Sequence, residues 1–551
     1  MSRRFPWLAL RKKTAPELPL EPPIWLNNHS NGEYYHPQTP NEARMRREIL
    51  RRADEQSRYL GMDRREFLAS SMGMVTTLAV INQLGGCSSD GSDARLPELP
   101  GTGKLIEGPY VAPVVATCEE TNLLKGEEFI FDIQTHSFDD GEWRTKNPVY
   151  PRFLNLLGGC ADESNALDCF TQDHYARLMF ADSATTMAVI TSWPAATCAE
   201  DRKLFGRSAK ACGLPLSNEG MKTLRDWVNM RSASQRVVNQ VQIMPNDNLE
   251  LQIEIMAAAF ADKTWGAVSW KCYPAWRSDN YPSPEGHARG YFLDDPVGRR
   301  FIEAGLSIGV PNFAVHKGLP IPGFDVEHNH PRDIGVVAKD YPDANFIVYH
   351  SAIGSGSAFN FLSAFNGSTT ERQPFDPNDP APQGVNALIK SVLDNGITPG
   401  KNVYAEMGSA WQNVMTDTIA AQHYLGKLLT YFGPDNIVWG TDCILSGSPQ
   451  PQIEAFRAFT ITPQFQQQFG YPELTPEIKK KIFGLNAARI FRVDPAAKRC
   501  AVQDDTFAKA KRELDAEFGD RRWTAEEPIG PKDKRTYLEQ AKKSIAQGKP
   551  G

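Results

Sequence analysis

The sequence predicts a parallel α/β protein, a distorted (β/α)8 TIM barrel with a long loop insertion after strand 1 and a helical C-terminal extension. Three observations predict it. Short apolar runs of strand character alternate strictly with helical segments, and there are eight such units. His136, Lys271, His316, His350 and Asp442 each sit in or just after one of these runs, with successive gaps of 135, 45, 34 and 92 residues. Those gaps correspond to three, one, one and two strand-plus-helix units. The five residues therefore fall at the ends of strands 1, 4, 5, 6 and 8, on the one face where such barrels build active sites. No Gly-rich phosphate turn follows the first strand, which argues against an open dinucleotide-binding sheet.

The elements follow in order. Residues 128–133 read as strand 1, and 137–182 as a long insertion that would lie over the active face as a lid. Residues 187–190 form strand 2, 217–235 a helix, 237–244 strand 3, 249–261 an amphipathic helix and 266–273 strand 4. A helix ends at 301–305, and strand 5 runs over 306–315. Pro331 opens the first turn of a helix reaching 341. Strand 6 covers 344–349, a helix 384–395, strand 7 402–407, a helix 416–432 and strand 8 436–440. A closing helix spans 475–492 with Thr475 as N-cap. The charged stretches 503–518 and 536–546 are helix-like and read as a peripheral arm suited to meeting a second subunit.

Composition and the N-terminal region bear on compartment. The chain has 551 residues, 41% hydrophobic and 23% charged, with a net charge of −6 and a pI near 6.0. That is globular composition, and it excludes nucleic acid as an expected partner. Arg64-Arg65-Glu66-Phe67-Leu68 precedes a mildly apolar stretch ending Leu84-Gly85-Gly86-Cys87. The stretch is too short and too polar to span a bilayer well. A twin arginine there suits a bacterial Tat export signal, which makes the export machinery an expected partner. Lipidation of Cys87 would give an anchored lipoprotein; without it the product is periplasmic or secreted. The expected organisation is a leader with signal at 1–87, a linker at 88–127, the barrel at 128–493 and the extension at 494–551. In an oxidising compartment the neighbours Cys160/Cys169 and Cys198/Cys212 are candidate staples, with connectivity open.

Gln134 and His136 are two apart on strand 1 and point the same way. Imidazoles from His136, His316 and His350 converging with the Asp442 carboxylate suit zinc or a similar divalent ion. Such an ion acidifies bound water and polarises a carbonyl. Lys271 ends strand 4 and suits contact with an acidic substrate or a neighbouring carboxylate. Lys317, next to His316, faces away on a regular strand. Glu406 closes strand 7 on the same face and is a candidate to hold a ligand histidine. His328 and His330, in the loop after strand 5, are candidate substrate contacts. Trp143, Tyr273, Trp276, Phe324 and Trp411 are candidates for an aromatic pocket lining.

Several motifs together carry a family resemblance: Asp132-x-Gln134-x-His136, Val348-Tyr349-His350-Ser351, Trp439-Gly440-Thr441-Asp442, Ser446-Gly447-Ser448-Pro449-Gln450 and Ile482-Phe483-Gly484-Leu485-Asn486-Ala487-Ala488-Arg489. Over about 129–493 the chain resembles the amidohydrolase superfamily. It looks most like the amidohydrolase-related metal-dependent hydrolases, a group that includes aminocarboxymuconate-semialdehyde-type decarboxylases. The resemblance implies a metal centre with His136, His316 and Asp442 as ligands, Asp442 also as general base or proton shuttle, and His350 as ligand or as orienter of water and substrate. It implies zinc, with manganese as the other choice, and a bridging role for Lys271 if two ions bind. It departs at Gln134, where the resembled pattern has histidine; an amide oxygen is a neutral, hard and weaker zinc ligand. The leading expectation is a metal-dependent hydrolase of a small-molecule ester, lactone or amide. The alternatives are a metal-dependent nonoxidative decarboxylase of an aromatic or unsaturated acid, and a degenerate barrel that only binds a small ligand. Self-association into a homo-oligomer is expected by analogy alone.

Overall fold

A computed structural model describes residues 22–24, 40–60, 63–84, 128–137, 171–192, 216–282, 288–320, 324–355, 371–415, 418–444 and 447–518. The strands are β1 (Phe131–His136), β2 (Met187–Thr191), β3 (Val237–Asn239), β4 (Val241–Gln242), β5 (Trp270–Cys272), β6 (Ser278–Pro282), β7 (Ala288–Arg289), β8 (Asn312–His316), β9 (Asn345–Tyr349), β10 (Val403–Glu406) and β11 (Ile437–Val438). Two parallel sheets run β1-β2-β3 and β11-β10-β9-β8-β5-β4, and β6-β7 is a separate antiparallel pair. They join at both ends. At one seam β3 and β4 are a single path broken only at Gln240, whose N–H donates to Ile190 while Val241 N donates to Ser269 O. At the other, Ile133 N donates to Trp439 O, Asp442 N to Gln134 O, and Ile444 N to His136 O. Eight parallel strand positions thus close into the expected distorted barrel.

Side-chain alternation fills it. Phe131, Ile133, Val189, Ala314, Ile347 and Val438 belong to the inner cluster, while Phe313, Val315, Phe346 and Val348 join the outer layer that meets the helices. The helices start where local chemistry provides caps: Ser217 Oγ accepts from Gly220 N at 2.8 Å, and Thr475 Oγ1 accepts from Ile478 N. The fifth strand position is shorter than the sequence suggests. Leu306–Ile308 belong to the helix Pro296–Ile308, which ends only at Gly309, with φ 93 and its N–H bonded back to Gly305 and Leu306. The closing helix is interrupted by a π turn at Lys481–Leu485, between Pro476–Lys480 and Asn486–Phe491.

Three outlying segments differ from expectation. Residues 172–181, assigned to the lid, are instead a helix and π turn that lead the chain into β2; 138–170 lie outside the described residues, as do Trp143 and both cysteine pairs. The C-terminal helices Pro495–Val502 and Thr506–Phe518 are not an arm. Phe507 and Ala510 are buried against Phe180, and Arg236, ahead of β3, forms a fully buried pair with Asp505 at 2.7 Å. The stretch 536–546 is outside the described residues. At the other terminus Pro40–Leu60, Arg64–Ala69 and Ser71–Leu84 are helices. Met45, Ile49, Ala53, Phe67, Leu68, Met74, Val80 and Ile81 join the main apolar cluster of the barrel. Among the described residues no helix is long and apolar enough to cross a membrane. Cys87 is not among them.

Candidate active site

A bulge aims the first two residues. Phe131 and Ile133 point inward, but the register of β1 against β2 slips between Asp132 and Thr135. One extra residue reverses the parity, and Gln134 and His136 turn to the mouth instead. The buried Asp132 carboxylate secures this kink. It accepts from Gln134 N at 3.2 Å, Thr441 N at 3.2 Å and Thr441 Oγ1 at 2.5 Å, and burial pushes its pKa up to about 7. That clamp ties β1 to the turn carrying Asp442, which has φ 62.

His350 follows β9 on a turn of three consecutive left-handed residues, His350, Ser351 and Ala352, with φ 60, 47 and 60. Such backbone costs energy for residues with a Cβ and persists where surroundings hold it. Glu406, at the end of β10, holds it. Its carboxylate accepts from His350 N at 2.8 Å and Gly408 N at 2.6 Å. Ser351 Oγ donates to the Glu406 carbonyl at 2.7 Å. Glu406 was a candidate for holding a histidine ring; it holds the histidine backbone. Burial raises its pKa to about 8.

The polar groups meet around Asp442. Oδ1 lies 2.8 Å from His136 Nε2 and accepts from Gln134 Nε2 at 2.9 Å; Oδ2 accepts from Ser409 Oγ at 2.5 Å. Gln134 Nε2 is 3.3 Å from His350 Nε2, which is 3.3 Å from His316 Nδ1. The carbonyl partners assign the tautomers. His136 Nδ1 faces Thr191 O at 3.2 Å and His316 Nε2 faces Leu319 O at 3.3 Å, so both nitrogens carry protons. His136 Nε2 is therefore the atom turned to the carboxylate.

Burial and charge set the protonation. Burial alone would raise Asp442, but the hydrogen bond and charge of His136, with His350 and Ser409, hold it below the usual carboxylate range. Burial pushes His350 down to about 3 and His316 well below the ordinary imidazole value, so both are neutral. Lys271, on β5, is fully buried, with its ammonium over the rings of Tyr349 at 3.3 Å and Tyr273 at 4.7 Å; burial lowers its pKa to about 7. Two glycines are required by closeness. A Cβ at Gly440 would lie 1.7 Å from Glu406 Oε1, and one at Gly408 would lie 2.7 Å from Gln134 Oε1.

The structure thus brings together Gln134, His136, His316, His350 and Asp442, with Lys271 and Glu406 beside them. His328 and His330 have partners of their own. His328 Nδ1 meets Asp325 at 2.8 Å and its ring packs on Phe292; the backbone carbonyls of both histidines take Lys317, which faces away and pairs with Asp333 at 2.9 Å. Trp411 is a core residue against Phe456 and Phe459. Tyr273 and Phe324 do flank His316, at 5.0 and 5.3 Å between ring centres. Ser409 and the Asp132–Thr441 clamp were missed. Ser409 follows Glu406-Met407-Gly408 directly after a strand end, which was the available signal.

A divalent ion fits this donor set on one condition. His136 turns Nε2 toward the site with Nδ1 on Thr191 O, Asp442 supplies a carboxylate, and Gln134 Oε1 is buried without a hydrogen-bond partner. Yet the Gln134 amide nitrogen sits between Asp442 and His350. Among the described residues only Asp325, Glu327 and His328 bring three side-chain ligand atoms within 4.8 Å of one another. The Gln134 amide must turn its oxygen toward Asp442 for the His136/Asp442 pair to hold an ion.

Residues 400–493, carrying β10, β11, Asp442 and the closing helix, match a family model described as Amidohydrolase. Comparison with curated proteins finds no match. Among solved structures the chain is similar to a 2,6-dihydroxybenzoate decarboxylase from Rhizobium, at 12% identity over 66% of this chain and 99% of that chain, with a TM-score of 0.36. It is similar to a probable 2-pyrone-4,6-dicarboxylic acid hydrolase from Acinetobacter baumannii at 11% identity, over 66% and 99%, TM-score 0.37. It is also similar to a 5-carboxyvanillate decarboxylase from Novosphingobium aromaticivorans with bound manganese, at 12% identity, over 66% and 97%, TM-score 0.36. At this level of similarity none of the three assigns a reaction to this chain.

Proposed function

We propose that the chain is a metal-dependent hydrolase of a small-molecule ester, lactone or amide. The observation that carries this is Asp442: a buried carboxylate engaged at both oxygens, facing His136 Nε2 at 2.8 Å and close to His350 and His316, whose pKa values burial lowers. A divalent ion, zinc or manganese, bound through His136, Asp442 and the turned Gln134 amide, would polarise the carbonyl and acidify a water. His136 is oriented by Thr191 and Asp442 by Ser409, and the Asp442 carboxylate would take the proton from the attacking water and return it to the leaving group. Neutral His350 positions the water or substrate from the turn that Glu406 supports. The test is Asp442→Asn assayed on a panel of chromogenic esters, lactones and anilides, with metal content measured in parallel. Loss of nearly all turnover (at least ~100-fold) in a folded protein is expected, and retained turnover would remove the assignment.

A second reading, nonoxidative decarboxylation of an aromatic or unsaturated acid at the same centre, is favoured by one observation, the buried amine of Lys271 beside the site. Carbon dioxide release from a panel of aromatic acids separates the two.

We also infer export of the chain by a Tat-type pathway, supported by Arg64-Arg65 and the mildly apolar stretch after it. Cell fractionation, with the intact mass of the exported product, tests this; a chain found only in the cytoplasm refutes it.

A further inference from the structure

The stretch that reads as an export signal is also part of the core. Asp63 caps the helix Arg64–Ala69, accepting from Arg65 N at 2.8 Å, and Ser70 Oγ closes it on Phe67 O at 2.6 Å. The helix Ser71–Leu84 then turns back so tightly that a Cβ at Gly73 would lie 2.4 Å from the Phe67 and Leu68 carbonyl oxygens. Phe67 and Leu68 are 1% exposed, and Met74, Val80 and Ile81 no more than 2%. They share the main apolar cluster with Leu425 and Leu428 of the helix Thr418–Tyr431, on which Ser71–Leu84 packs. The helix Pro40–Leu60 packs on both short helices and adds Met45, Ile49 and Ala53 to the cluster. Its Asp54 carboxylate pairs with Arg58 at 2.7 Å and reaches Arg64, the first of the twin arginines, at 3.6 Å.

The same apolar side chains cannot fill this core and a receptor groove at once. A receptor for residues 64–84 therefore binds only the released form, and its apparent affinity falls in proportion to the fraction released. Release returns these side chains to water, which keeps that fraction small. We propose that the folded chain withholds its own export segment, with the helix Pro40–Leu60 as the latch. This rests on the reading of the segment as a Tat-type signal. It adds that undocking from the barrel comes before recognition and sets the rate of export.

The test uses the full chain and two variants that loosen the latch without altering residues 64–87. Ile49→Asp puts a charge in the core, and Asp54→Lys sets a like charge against Arg64. Amide hydrogen exchange is followed by mass spectrometry on protein from cells lacking twin-arginine export machinery. Residues 64–84 should be protected in wild type and exchange at least ~10-fold faster in both variants. Residues 312–316 and 345–349, in β8 and β9, should not change. If Ile49→Asp loses protection there too it has unfolded, and Asp54→Lys decides. In cells that have the machinery, the export rate from pulse-chase fractionation should rise in step with the exchange rate. Changing Arg64 and Arg65 together to Lys should abolish export in every background. Exchange over 64–84 that neither variant speeds, or faster exchange with an unchanged export rate, would overturn the proposal. Unprotected 64–84 in wild type, with export that needs both arginines, removes this proposal and leaves the export reading. Protection that the variants lose, with no chain exported at all, removes the export reading and this proposal with it.

Discussion

Gly440 offers the sharpest test of how the site is held. A Cβ there would lie 1.7 Å from Glu406 Oε1, 2.8 Å from Glu406 Cδ and 3.2 Å from Gln134 Cβ. Glu406 cannot simply turn aside, because its oxygens are fixed by Gly408 N at 2.6 Å and His350 N at 2.8 Å. Gly440→Ala should therefore push the carboxylate away and strand two buried N–H groups, at ~1–3 kcal/mol each. Overpacking adds ~1–3 kcal/mol. The expected loss is ~3–9 kcal/mol, a large part of a typical stability margin of ~5–15 kcal/mol. Glu406→Ala alone strands the same two groups without the clash and should cost ~2–6 kcal/mol. In the double variant the new methyl enters space the carboxylate has left, and should add nothing to the Glu406→Ala cost. The coupling is then nearly equal and opposite to the whole Gly440→Ala effect. Urea and thermal midpoints of the four proteins measure it, and soluble double variant against insoluble Gly440→Ala serves if the single variant fails to fold. Additive losses would refute the reasoning, since they would mean that the methyl and the carboxylate never compete.

Other consequences are testable more briefly. Glu406 has a folded-state pKa near 8, above its ordinary 4.5, so its contribution to stability is complete below 4.5 and is lost as pH rises toward 8. Glu406→Gln should flatten the fall in stability over that window by up to ~1.4 kcal/mol per pH unit, read from denaturation at stepped pH; parallel curves would rule out a buried proton there. Arg236→Met leaves Asp505 buried and unpaired and should cost ~3–5 kcal/mol, while Arg236→Met with Asp505→Leu should recover most of it. Limited proteolysis of the 495–518 helices would report the same ordering, and equal stability of the two variants would contradict it. A chain beginning at Ser88 loses the helices that place Ile49, Phe67, Met74 and Ile81 in the core cluster. It should melt lower and bind a hydrophobic dye more strongly than the full chain, and an unchanged melting temperature would show that these helices do not support the barrel.

The barrel was legible because its signal is local. Runs such as Phe346–Tyr349 and Val403–Glu406 read as strands on period alone, and the polar residue at each strand end could be counted off. Where local preference and tertiary contact disagree, legibility stopped. Leu306 and Ile308 suit a strand as well as a helix, and the left-handed Gly309 decided for the helix. Ser71–Leu84 has the composition of a weak signal segment, yet it lies in the main core cluster through contacts that no window of sequence contains. The site divides the same way. His136, His316, His350 and Asp442 follow from strand spacing, but what aims them is a register slip in β1, a left-handed turn after β9 and one buried glutamate supporting both His350 and Gly408. Gln134 joins the two levels. Alone in the sequence it is a departure from the motif that the chain otherwise resembles. In the structure its amide donates to Asp442 while Gly408 leaves room for its other end, so that a Cβ at 408 would come within 2.7 Å of it. Glutamine at 134, glycines at 408 and 440 and glutamate at 406 therefore form one packed unit, and a change at any of them is felt at the carboxylate of Asp442.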